Sequence, residues 1–190
     1  MINGEMVEKI KIWGADYAQI ELRIIAKATK CEPMIETFRS GGDVHSLTAW
    51  RVFGIPEERA KGDPNIRKRA KTLNFCVAYG GEADMVQELL TKSALEEPDL
   101  GIVVPSLSEC REMTKEYRAA YPEIFEWKTW MVEEMRRRGY AATLYGHRRF
   151  LPDLNSPIQA LRGMAERAGL NLIIQGTAGQ IIKLAMNLIA

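Results

Sequence analysis

Histidine is scarce here, with 2 in 190 residues, and there are only 3 cysteines, Cys31, Cys76 and Cys110. An odd number with no C-x-x-C spacing excludes a disulfide scaffold and a cysteine-built zinc site, and fits a reducing compartment. Net charge is also lacking: 26 Lys and Arg against 25 Asp and Glu leave +1. Any polyanion must therefore be held by local clustering of charge. No unbroken run reaches the roughly 18 apolar residues of a membrane span, so no membrane partner is expected. The opening MINGEMVEKIKIW has no signal-peptide core, and no segment repeats. What remains is an ordinary 46% of hydrophobic residues, enough for one domain or slightly more, expected to be soluble and cytoplasmic.

The pattern predicts a mainly α chain with a small β component (α+β). Lys9–Trp13 alternate as a short strand does. Helices are expected over 20–30, from Glu32-Pro33 to Gly41-Gly42, and from an Asp43 cap to Gly54. Another opens at Asp63-Pro64-Asn65 and closes at Gly80-Gly81, and a shorter one covers about 83–91. The stretch LEEPDLGIVVPS reads as a loop. A long helix from Ser108 to Arg138, bent at Pro122, leads to a hairpin around Tyr145-Gly146. The last helix starts at Ser156-Pro157 and meets no stop signal before Ala190, so the sequence reads as cut there.

Residues 66–79 on a helical wheel put Ile66, Ala70, Leu73 and Val77 on one stripe. Arg67, Lys71, Phe75 and Tyr79, spaced by four, form a second stripe roughly opposite. Two readings fit. Either the cations hold phosphates while the rings offer a stacking surface for a base, or the helix is wedged between two cores with Phe75 in the second. Asp16 follows the predicted strand and precedes a helix, where an acid either points into a cleft or caps the helix. In the last helix, Arg167, Asn171 and Gln175 make one polar stripe through an apolar surface. They are hydrogen-bond donors, suited to minor-groove acceptors or to a buried core network.

The pattern R-x-x-x-K-x-x-x-F-x-x-x-Y-G, here Arg67, Lys71, Phe75, Tyr79 and Gly80, resembles the nucleotide-binding helix of family A DNA polymerases. DYAQIELR, residues 16–23, resembles the family's DYSQIELR. GDVHSLTA resembles D-I-H-x-x-T-A, TLYGHRRFLPD resembles T-L-x-G-R-R-R-x-L-P, and AERAGLNLIIQGTAGQ resembles E-R-A-x-x-N-x-x-x-Q-G-T-A. The resemblance runs from about Ile12 to Ala190, apart from a longer stretch over 91–107 to which no function is given.

The resemblance implies partial palm at 1–30, fingers at 31–138 with the nucleotide helix at 64–80, and a return to the palm at 139–190. It implies template-directed transfer of dNMP from a dNTP to a primer 3′-hydroxyl. Asp16 and the Tyr17 carbonyl would ligate Mg2+, with two ions in the complete enzyme. Asp16, Arg67 and Lys71 would be catalytic, and Glu21, His45, Phe75 and Tyr79 would complete the nucleotide site. Glu21 would exclude a ribose 2′-hydroxyl. Gln19, Arg148, Arg149, Arg167, Asn171 and Gln175 would meet primer–template DNA. Gly176 and Gly179 would allow close backbone approach.

Ala18 and Cys76 stand where the family usually has Ser and Gly, and no role passes to His147, which replaces an Arg. Cys76 lies on neither stripe, so a packed thiol is expected. The family's second catalytic carboxylate lies beyond the minor-groove helix. These residues are thus expected to need the rest of the polymerase, the thumb and remaining palm, for activity. The expected setting is the cytoplasm, in association with the nucleoid, or a host cytoplasm if the gene is a phage's. The rival readings are a phage-type single-subunit RNA polymerase, against which Glu21 weighs, and a non-catalytic nucleic-acid-binding remnant, against which Asp16, Arg67 and Lys71 weigh.

Overall fold

The computed structural model describes residues 14–189, so the strand expected over Lys9–Trp13 lies outside it. Helix α1 (Ile20–Thr29) passes to α2 (Glu32–Arg39) through Lys30, whose φ of 56° turns the chain back. Helix α3 (Val44–Phe53) begins where the Asp43 carboxylate accepts from the Ser46 N–H and ends at Gly54. The six-residue α4 (Glu57–Gly62) is not foreseen from the sequence, being too short for an apolar period. It forms because Ala60 packs against Ala49 of α3 and against Ala70. Helix α5 (Pro64–Cys76), which bears Ala70, starts where Asp63 accepts from the N–H groups of Asn65 and Ile66.

Helix α5 ends four residues before the expected Gly80. The Gly80 N–H bonds to the Val77 carbonyl, and the Gly81 N–H bonds to the Cys76 carbonyl. Gly80 has a φ of 94°, which favours glycine. A Cβ on Gly81 would lie 2.3 Å from the Cys76 sulfur. The chain therefore folds back onto its own helix end, and Tyr79 sits on a turn rather than on the wheel.

Helix α6 (Ala83–Glu96) is longer than expected, and a single 3-10 turn, Pro98–Leu100, interrupts the predicted loop. The long helix expected over 108–138 is two helices, α7 (Leu107–Ala120) and α8 (Pro122–Arg138). Pro122 forces the preceding residue out of the helical region, and Tyr121 breaks the run at φ −134°. Ser106 and Glu109 form a capping box on α7. Strands β1 (Tyr140–Ala142) and β2 (Arg148–Phe150) pair antiparallel, Tyr140 opposite Phe150.

Helix α9 (Gln159–Asn171), a π turn (Leu172–Gly176) and α10 (Thr177–Ile189) close the described chain. The continuous helical span 159–189 is long and apolar enough, by length and composition alone, to cross a membrane. The search for an unbroken apolar run misses this, because scattered polar residues interrupt the run without making the average polar.

The larger of two hydrophobic clusters runs through the described residues, with Leu22, Met34, Leu73, Val77, Leu90 and Tyr117 fully buried. All three cysteines are buried and free. Burial pushes the Cys31 and Cys76 thiols up to about 11, and raises Cys110 as well. Cys76 is thus the packed thiol expected.

A polar network crosses this core. The Asn74 amide nitrogen of α5 donates to His45 Nδ1 at 3.0 Å, and its oxygen accepts from Thr48 at 3.0 Å and from Tyr117 at 3.3 Å. Thr48 also pairs with the Tyr121 hydroxyl at 2.9 Å. One amide therefore ties α3, α5 and α7 together. Burial lowers the His45 imidazole from 6.5 to about 4. Its proton is bound more readily in the unfolded chain, so this residue withdraws stability as pH falls from 6.5 toward about 4. Two outcomes are expected. Asn74→Leu, which strands His45 and Tyr117 while keeping the volume, lowers unfolding free energy by about 3 kcal/mol in urea titrations. The His45 Cε1 proton resonance stays flat from pH 8 to pH 5.5.

Candidate functional site

The site is built around the start of α1. Asp16 is exposed and Tyr17 is 48% exposed. Gln19 then takes a left-handed turn, φ 55°, which a non-glycine residue adopts only at a cost in energy. Arg23 fixes this turn by donating to the Ala18 carbonyl at 3.0 Å, and stacks on Phe38 at 4.4 Å.

Gln19, Asp43 and Arg67 form one polar cluster. The Gln19 amide nitrogen donates to Asp43 Oδ1 at 2.8 Å, and Arg67 Nε donates to Oδ2 at 3.1 Å. Arg67 Nη2 also reaches Oδ1 at 3.3 Å. These contacts, with Ser46, outweigh the opposing effect of burial and hold Asp43 at about 2. An open cleft of about 370 Å³ lies against the cluster, with Lys61 and Arg23 on its walls. The Gln19 amide oxygen is buried and finds no partner among the described residues. Sequence reasoning saw Asp43 only as a helix cap. Its place two residues before His45, in the quoted D-x-H segment, was the available signal.

The second contact joins α1 to the end of α5. The Tyr79 hydroxyl donates to Glu21 Oε2 at 2.7 Å. Burial first, and then this bond, raise the phenol well above its ordinary range, so it stays protonated. Lys71 is exposed, and Phe75 and Tyr79 are half-buried at the rim of the core. Neither ring is sealed inside. The expectation of a helix wedged between two cores is therefore met only at the rim, and Arg67, Lys71 and Phe75 share an accessible side of α5. Ile66, expected in the core stripe, is only partly buried.

His45 is 2% exposed, is engaged with Asn74, and lies 6.0 Å from the Phe75 ring. The structure does not bring it to the open surface with Arg67 and Lys71; it stands behind Phe75.

Arg167, Asn171 and Gln175 are all exposed, so the core-network reading of their stripe is replaced by an open face. The π turn helps to align them. Four residues of α-helix advance the side-chain direction by about 40° beyond a full turn. The wider turn after Asn171 takes more residues per revolution and offsets that drift before Gln175. Gly176 is close-packed as expected, since a Cβ would meet Thr143 at 2.9 Å. Gly179 is not, having nothing within 4 Å; Gly169 instead packs on Met135. Arg148 stacks on Tyr140 at 4.9 Å and Arg149 is exposed. Thr143 closes the hairpin turn.

Among the described residues, no group of three or more His, Cys, Asp or Glu side chains is placed to hold a metal ion. The exposed Asp16 carboxylate fits a hard cation that takes one or two carboxylates and fills its remaining positions from a substrate.

The described geometry has counterparts among known proteins. The model of "DNA polymerase family A" matches residues 5–190. Thermostable DNA polymerase I of Thermus aquaticus is 39% identical over 171 residues, 90% of this chain and 19% of that protein. DNA polymerase I of Mycobacterium leprae is 39% identical over 172 residues, 17% of its length. The chain thus spans less than a fifth of these relatives. A structure of the polymerase domain of Pol1 from M. smegmatis, in complex with DNA primer-template and dNTP, superposes with a TM-score of 0.75 at 36% identity. The match covers 90% of this chain and 28% of that one. The chain, with its Arg67–Tyr79 surface facing the Asp16–Arg23 segment, belongs to DNA polymerase family A.

Proposed function

We propose that these residues form the nucleotide-binding part of a template-directed DNA polymerase, which joins dNMP from a dNTP to a primer 3′-hydroxyl. The observation that carries the reading is the Tyr79–Glu21 hydrogen bond beside the open Arg67–Lys71–Phe75 side of α5. Arg67 has donors beyond those given to Asp43, and Lys71 adds an exposed charge one turn on, so both can stabilise charge on phosphate oxygens. Phe75 offers its face to the base or sugar. Glu21, already holding the Tyr79 hydroxyl, blocks a 2′-hydroxyl by bulk and leaves it without a partner. His45 acts through Phe75 rather than on the phosphates.

In this reading residues 1–30 and 139–190 belong to the palm and 31–138 to the fingers. Arg167, Asn171, Gln175, Arg148 and Arg149 face primer–template DNA, with Gln19 at its edge. Asp16 and the Tyr17 carbonyl would hold Mg2+, which when bound lowers the pKa of the attacking hydroxyl and neutralises phosphate charge. Two-metal chemistry needs a second carboxylate close to Asp16, so the 190 residues act only with the rest of the polymerase fold. The cytoplasm is the natural setting for its nucleotide substrate.

Primer extension tests this. The 190-residue chain alone is expected to give no product. Together with a polypeptide supplying thumb and remaining palm it extends the primer, and Asp16→Ala abolishes extension. Arg67→Ala lowers the rate by about 100-fold or more, and Glu21→Ala admits ribonucleotides. Robust synthesis by the chain alone, or extension indifferent to Asp16→Ala, overturns the assignment. Preference for rNTPs in the unmutated protein favours the RNA polymerase reading.

A further inference from the structure

The turn that carries Tyr79 and Gly80 is gripped from outside by two cations. Arg118 of α7 donates to Glu82 at 2.7 Å. Lys128 of α8 donates to the Val77 carbonyl at 3.4 Å. The Phe125 ring lies between the two cations, 4.7 Å from the guanidinium and 5.3 Å from the ammonium. Tyr117, fully buried, meets that ring edge-on at 6.3 Å. Val77 follows the last residue of α5, where a cation complements the helix dipole. Lys128 also lies 3.6 Å from the point where a Cβ on Gly80 would sit.

A half-buried lysine is costly unless its charge is met. Here a carbonyl dipole and an aromatic face meet it. We propose that Lys128 is a positioning residue for the nucleotide site: together with Phe125 and Arg118 it fixes the Val77–Glu82 turn, and so keeps the Tyr79 hydroxyl on Glu21. The inference rests on the reading that Tyr79 and Glu21 lie against the nucleotide sugar. Nothing in the resemblance pattern points to position 128. The available signal is a lone cation among the aromatics of FEWKTW.

The contact has a pH limit. Burial, reinforced by Arg118 and opposed by Glu82, lowers Lys128 from 10.5 to about 8. The other charges near it line the adjoining cleft: Glu133 and Arg136 on its own helix, Glu166 and Arg167 on α9. Arg136 and Glu166 pair with each other. The bond to the carbonyl is therefore charge-assisted below about pH 8 and weakens above it.

The test uses the 190-residue chain with Lys128→Met and Lys128→Arg. In amide NMR spectra from pH 7 to 10, the Gly80 and Gly81 resonances of the unmutated chain shift with a midpoint of about 8. That transition is lost in Lys128→Met, and in Lys128→Arg, which keeps its charge, the resonances stay at their low-pH positions. Titration with dATP and with ATP gives the second readout. The ratio of the ATP Kd to the dATP Kd falls about tenfold in Lys128→Met, the size of one charged hydrogen bond, and Lys128→Arg restores it. A Gly80–Gly81 transition unchanged in Lys128→Met overturns the inference. So does an unaltered dATP-to-ATP ratio in a variant that still binds dATP. If neither nucleotide binds the unmutated chain, the nucleotide reading falls, and the amide titration still decides whether Lys128 holds the turn.

Discussion

Asn74 lets one helix be rigid on one side and open on the other. Its amide is fully buried, and its nitrogen and oxygen are taken up by His45 of α3 and by Thr48 and Tyr117. An amide so placed sets the rotation of α5 about its axis, because every alternative rotation leaves buried donors and acceptors unmade at about 1–3 kcal/mol each. Phe75 is the next residue, so its direction follows from that of Asn74. The accessible positions of Lys71 and Phe75 are a consequence of polar satisfaction in the interior.

The electrostatics of the cleft follow from a carboxylate shared three ways. Asp43 is held ionised by Gln19, Ser46 and Arg67. It engages the guanidinium through Nε and Nη2, and Nη1 has no partner among the described residues. An anion arriving at Arg67 meets a guanidinium already oriented, which saves the side-chain entropy of arranging it. The Glu21–Tyr79 bond is a second such constraint, and it spans 58 residues of sequence to close the far end of the same surface.

Much of this was legible in the sequence. Caps at Asp43, Asp63 and Gly54, the hairpin at Tyr145-Gly146 and the stripe of Arg67, Lys71 and Phe75 are local signals, and the resemblance placed Glu21 and Tyr79 in one site. What was missed depends on long-range contact. Helix α4 exists because three alanines meet from separate helices. Helix α5 stops at Cys76 where the Gly81 N–H returns to the Cys76 carbonyl, which no wheel can show. The pairing of Asp43 with Arg67, and of Lys128 with Val77, joins residues 24 and 51 positions apart. The buried place of His45 follows from Asn74, an ordinary polar residue within a motif read for its charges and rings. The π turn was hidden because hydrophobic periodicity barely changes across five residues.

The three sealed sulfurs make the chain its own gauge of opening. A thiolate is the reactive form, and burial suppresses it at all three cysteines. Their surroundings differ, however. Cys31 and Cys110 sit fully inside the core, whereas Cys76 is covered by the glycine turn that follows α5. A thiol-reactive dye would therefore label Cys76 whenever that turn swings away, and the other two only when helices separate. The difference in labelling rates would measure how far local breathing at the end of α5 is uncoupled from global unfolding.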